Sequence, residues 1–139
     1  MQPIQTYSEF KKFYGNGERL RAVARDTAVL TLSIGRSIKN TSGWIRFPYY
    51  HHVFDDERHG FIRQLNYMRN FGEFISLDDV VVLLNSGETI DGRYFCITFD
   101  DGFKNCLTNA VPLLLDMGAP AVFFIATGYI DSDSEKDTE

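Results

Sequence analysis

The sequence predicts an α/β protein built around parallel strands, and three observations carry that prediction. Tyr94-Phe95-Cys96-Ile97-Thr98-Phe99 is a nearly continuous apolar run, the pattern of a strand buried on both faces of a parallel sheet. Ala121-Val122-Phe123-Phe124-Ile125-Ala126 is a second such run, predicted as another buried strand. Between and before them lie segments of helical period, long enough to serve as the right-handed crossovers that parallel strands require.

Taken in order, Leu20, Val23, Ala24, Ala28, Leu30, Ile34 and Ile38 recur at roughly helical intervals and predict a long helix between Gly17 and Lys39. The alternation Leu30-Thr31-Leu32-Ser33-Ile34 fits a strand as well, and both readings stand. After Thr41-Ser42-Gly43, the aromatic run from Trp44 to Val53 predicts a strand despite Pro48. Phe61, Leu65, Met68 and Phe71 mark one face of a helix that Gly72 ends. Ser76 followed by Asp79 is a capping box opening a further helix through Val80, Val81, Leu83 and Leu84, closed by Gly87. A helix from about Phe103 to Met117 is predicted to bury Leu107, Val111, Leu114 and Leu115 and to stop at Gly118. Pro112 inside it is expected to kink it or shift its start. The division expected is a helical extension over residues 1–43, a βα domain over 44–130 and a solvated tail over 131–139, where five acids face one base.

Composition narrows the function. A chain of 139 residues with 44% hydrophobic content is one domain long and can build a core. A net charge of -5 with no Lys/Arg stripe argues against a nucleic-acid partner. Cys96 and Cys106 form no Cys-x-x-Cys pair and read as small buried hydrophobes. Residues 1–16 lack the basic start and apolar run of a secretory signal, and no stretch approaches the ~20 apolar residues of a membrane span, so the expected compartment is the cytoplasm.

Chemistry concentrates at Thr98-Phe99-Asp100-Asp101-Gly102, where two carboxylates follow the most buried strand, the place βα folds put their catalytic groups. Adjacent carboxylates at a strand end point different ways, so one can bind a cation while the other takes a proton from water. Gly102 allows the tight turn beside them. The same residues also describe a helix cap followed by a solvated acid. A magnesium-dependent phosphoryl site is the weaker alternative, because no Gly-rich phosphate loop or suitably placed Lys follows the strand.

From Tyr50 to Ile130 the chain resembles the polysaccharide deacetylase family, which includes the nodulation-type chitooligosaccharide deacetylases. Tyr50-His51-His52-Val53 is similar to the family's early Tyr-His segment. Phe61-Ile62-Arg63-Gln64-Leu65, Phe71-Gly72 and Ile75-Ser76-Leu77 are similar to its first helix and the entry to the second. Ile97-Thr98-Phe99-Asp100-Asp101-Gly102-Phe103 matches its first motif, which Asn105, Ala110, Pro112, Leu113 and the strand entry at Gly118-Ala119-Pro120-Ala121-Val122-Phe123-Phe124 continue.

The resemblance implies part of a distorted (β/α) barrel and metal-dependent hydrolysis of N-acetyl groups on oligo- or polysaccharide amino sugars, with zinc the expected divalent ion. Carried over, Asp100 is the general base and Asp101 a metal ligand. The family's later His-x-x-x-His ligands and later acid histidine have no counterpart, since no histidine follows His59. His51 and His52, neighbours on the predicted strand, face opposite sides, so one at most looks toward the site. His59 at a helix start reads as a surface residue. Two expectations follow: a deacetylase inactive as this chain alone, its remaining half supplied elsewhere or lost from the reading frame, or a non-catalytic homologue acting as an interaction module. In either case exposed sheet edges are expected to favour self-association.

Overall fold

The computed structural model describes residues 4–13, 23, 24, 27–29, 31 and 43–129. Among the described residues, six short strands and four α-helices with defined bounds follow one another. They are α1 (Tyr7–Phe13), β1 (Trp44–Arg46), β2 (Tyr49–Tyr50), α2 (Arg58–Arg69), β3 (Glu73–Phe74), α3 (Leu77–Asn85), β4 (Arg93–Phe95), β5 (Ile97–Phe99), α4 (Val111–Asp116) and β6 (Ala121–Phe123). Every strand pairing is parallel, in two three-stranded sheets of order β1-β4-β3 and β2-β5-β6. The α/β class with parallel strands is therefore as the apolar runs predict.

Two of the three predicted strands divide where their hydrogen bonding changes hands. The run from Trp44 breaks at Phe47-Pro48 into β1 and β2, and the run from Tyr94 breaks at Cys96 into β4 and β5. Proline supplies no N–H to a ladder. The two chains nevertheless stay side by side: Cys96 N–H donates to the Arg46 carbonyl at 2.9 Å and Thr98 N–H to that of Pro48 at 3.0 Å. The strand predicted to run from Trp44 to Val53 ends at Tyr50, and that predicted from Ala121 to Ala126 ends at Phe123. Phe124 and Ile125 are 52% and 58% exposed; the Phe124 N–H still donates to the Phe99 carbonyl at 2.7 Å, just past the end of β6.

Local rules account for the helices. Ser76 Oγ accepts from the Asp79 N–H at 3.1 Å while Asp79 accepts from the Ser76 N–H at 3.0 Å, the reciprocal box predicted for α3. Helix α2 buries Phe61 and Leu65. It ends at Arg69, ahead of Gly72, whose role is steric instead: a Cβ there would lie 2.5 Å from the Arg93 carbonyl oxygen.

Helix α4 corrects a predicted face. Leu107 and Leu115 are 65% and 75% exposed, whereas Cys106, Asn109, Ala110, Leu113 and Leu114 are buried. Residues Cys106–Ala110 form a π-turn, in which the Val111 N–H reaches back five residues to the Cys106 carbonyl. Pro112 is compatible with the detour, since it could not donate to the Thr108 carbonyl as an α-turn would require, and the extra residue rotates the apolar face.

The buried cluster joins Val53, Phe61, Leu65, Ile97, Phe99, Cys106, Ala110 and Leu114, so it lies between the sheet and helices α2 and α4. Phe99 stacks on Phe123 with ring centroids 4.7 Å apart and on Tyr50 at 5.4 Å.

The predicted helix from Gly17 to Lys39 falls largely outside the described residues. Those within it, residues 23, 24, 27–29 and 31, are helical, and the Thr27 and Thr31 hydroxyls donate back to the Val23 and Thr27 carbonyls. The acidic segment 131–139 lies outside the described residues. Among them no helix is long and apolar enough to cross a membrane.

Replacing Ser76 by Ala is expected to lower unfolding free energy by about 1 kcal/mol, and replacing it by Gly by only a few tenths. Urea denaturation of the three proteins checks this; equal midpoints would show that the box contributes nothing.

Candidate functional site

The parallel ladder places the site. Its last rung is the Asp100 N–H donating to the Tyr50 carbonyl at 2.9 Å, which brings the ends of β2 and β5 level. Beyond that rung both chains leave the sheet. Asp101 and Gly102 both take left-handed backbone, with φ of 69° and 74°, and turn the chain toward the helix. Glycine takes this conformation freely, whereas Asp101 is strained in it, and strained residues of this kind gather at functional sites.

The turn aims the Asp101 side chain across at the other strand. Its Oδ2 lies 3.3 Å from His51 Nδ1, and both side chains remain about half exposed, at 48% and 50%. His51 and His52 are not on a strand, as predicted, but in the loop after β2, because the ladder stops at Tyr50 and Phe99. Only His51 reaches Asp101. The His52 ring is packed 4.1 Å from Phe103, 5.0 Å from Phe54 and 5.6 Å from Phe10, with its Nδ1 against the Asn105 side-chain amide at 3.2–3.3 Å. His59 is exposed in the first turn of α2. The Asp100 side chain, partly buried, accepts no hydrogen bond among the described residues.

Asn109, which the sequence reading did not single out, holds this loop together with Cys106 and Asn105, to which it gave no such role. The Cys106 thiol donates to the His51 carbonyl at 3.0 Å, and Asn109 Nδ2 donates to the Val53 carbonyl at 2.9 Å and to Asp55 Oδ1 at 2.8 Å. With Asn105 on His52, three side chains from the start of one helix grip residues 51–55. The available signal was Asn109, a polar residue at the buried spacing of Cys106, Ala110 and Leu113. Burial pushes the Cys106 thiol up to about 11, so it is a structural donor and not a nucleophile.

A cavity of about 950 Å³ opens over the site. His51, His52 and Asp101 line it, while Asp100 does not.

Residues 87–138 match the family model described as polysaccharide deacetylase. Among solved structures the chain is similar to the structure of IcaB from Ammonifex degensii, at 27% sequence identity and a TM-score of 0.58. That likeness covers 68% of this chain and 43% of IcaB, so the chain spans less than half of that relative. No curated protein matches the chain. Residues 87–138 thus match a polysaccharide deacetylase domain within a fold similar to that of IcaB, in agreement with the resemblance carried by the motif around Asp100 and Asp101.

That family implies a divalent metal, and the donor set can be tested against it. Asp101 with His51 offers two donors, whereas a catalytic zinc is generally held by three protein ligands. His52 is committed to Asn105, and among the described residues no group of three His, Cys, Asp or Glu could hold an ion. These residues do not by themselves fit a catalytic metal.

Two outcomes are expected. Because the Cys106 thiol stays neutral in the folded chain while it ionises near 9 when unfolded, its contribution to stability is full below pH 9 and is lost as pH rises toward 11. Thermal midpoints across that range, compared with Cys106→Ser, would reveal it as a steeper alkaline decline in the parent. Asp101→Gly is expected to unfold at higher denaturant than Asp101→Val by about 1–2 kcal/mol, since only glycine takes the left-handed backbone freely. Equal midpoints would remove the claim of strain.

Proposed function

We propose that the chain carries one side of a deacetylase site acting on N-acetylated oligo- or polysaccharides, with residues 44–130 as part of a distorted (β/α) barrel. The observation that carries this reading is the meeting of Asp101 and His51 at the paired ends of β2 and β5, with β5 and Asp101 inside the residues that match the polysaccharide deacetylase model. Asp100 is the general base, accepting a proton from the water that attacks the acetamide carbonyl. Asp101, with His51 beside it, supplies part of the donor set for a zinc-like ion. On this reading the chain alone is inactive, since the two donors that meet among the described residues fall short of the three a catalytic ion requires.

A second reading is a non-catalytic interaction module. It is favoured by the exposed Phe124 and Ile125 beside β6, which pairs only with β5 among the described residues. Such an edge favours self-association.

The two readings separate in a chimera in which residues 44–129 replace the equivalent segment of a catalytically competent family member. The deacetylase reading predicts acetate release from N-acetylglucosamine oligomers, falling at least ~100-fold in Asp100→Asn, whereas the isolated chain releases none above background. A folded chimera without turnover would favour the module, and clear turnover by the isolated chain would overturn the claim that it is inactive alone.

A further inference from the structure

The first helix is attached to the molecule in an unusual place. None of residues 4–13 joins the buried core, yet the segment is fixed against the loop that carries His51 and His52. Asp56, at the far end of that loop, accepts from the Tyr7 N–H at 2.8 Å, the Ser8 N–H at 3.3 Å and the Ser8 hydroxyl at 3.0 Å. It thereby caps α1 from nearly fifty residues away, and these bonds hold its carboxyl below the usual range. The Asp55 N–H donates to the Gln5 carbonyl at 3.1 Å. Within the segment, Thr6 Oγ1 accepts from the Glu9 N–H at 3.2 Å while Glu9 accepts from the Gln5 and Thr6 N–H groups, so the helix start is satisfied twice over.

So anchored, α1 turns Phe10 toward the site, its ring 5.3 Å from Phe54 and 5.6 Å from His52. Ile4, Gln5 and Phe10 line the same cavity of about 950 Å³ as His51 and Asp101, with Phe103 among its other walls. The rings of Phe10, Phe54 and Phe103 beside amide and hydroxyl groups in one concavity suit a ligand with an apolar ring face and a polar rim.

We propose that residues 4–13 form a ligand-contacting wall of the candidate site, with Phe10 a specificity-determining residue and Asp56 the positioning residue that holds the wall in place. The ligand class, an oligomer of N-acetylated amino sugars, rests on the deacetylase reading. The wall sets how such an oligomer lies against the Asp101–His51 pair.

Titration of the isotopically labelled full chain with tri-N-acetylchitotriose, followed by nuclear magnetic resonance, tests this. The expected result is that amide signals of Gln5 and Phe10 shift together with those of His51 and Asp101. Affinity should fall about tenfold in both Phe10→Ala and Asp56→Ala, with the rest of the spectrum of each variant retained. Shifts at His51 and Asp101 alone, with unchanged affinity in both variants, would overturn the wall and leave the deacetylase reading intact. Shifts confined to residues 4–13 would uphold the wall and remove the link to deacetylation. The absence of shifts anywhere would overturn both.

Discussion

The parallel pairing of residues 44–50 with residues 93–99 is the constraint on which the site depends. It survives a proline and a change of sheet, because the backbone bonds to the Arg46, Pro48 and Tyr50 carbonyls continue across both breaks. Its last rung fixes the level at which the two chains leave the sheet. Two loops then have nowhere to go except over the same end of the sheet, and their first side chains, His51 and Asp101, meet there. This is the general position of function in βα folds, reached here through the bond from Asp100 to Tyr50.

The left-handed turn at Asp101-Gly102 converts that meeting into a direction. Without it the acid would continue along the strand. The π-turn after it does the complementary work, since the side chains of Asn105, Cys106 and Asn109 hold the His51 loop from below. Strain at one loop and rigidity under the other are linked, because the same dozen residues after β5 provide both. A site built this way tolerates little change in the segment from Asp100 to Leu113.

Much of this was legible in the sequence, for identifiable reasons. Buried parallel strands are apolar throughout, so Tyr94 to Phe99 announces itself, and a capping box such as Ser76 with Asp79 is purely local. Three things were not legible. The face of the last helix depends on a π-turn that Pro112 permits but does not dictate, which is why Leu107 and Leu115 are exposed. The placement of His51 and His52 depends on where a ladder stops, and that is set by the partner strand. Helix α1 lies within the expected helical extension and has a local Thr6–Glu9 box, but its attachment to Asp56, a residue distant in the sequence, could not be read from that pattern.

The site depends on one discrimination, that His51 and not its neighbour stands with Asp101 while His52 is locked among aromatic rings. Proton–proton nuclear Overhauser contacts from the two assigned imidazoles measure this directly. Contacts from the His51 ring to the Asp101 side chain, and from the His52 ring to Phe10, Phe54 and Phe103, are the predicted result. Contact between His52 and Asp101, or a His51 ring with no neighbour at the end of β5, would contradict it.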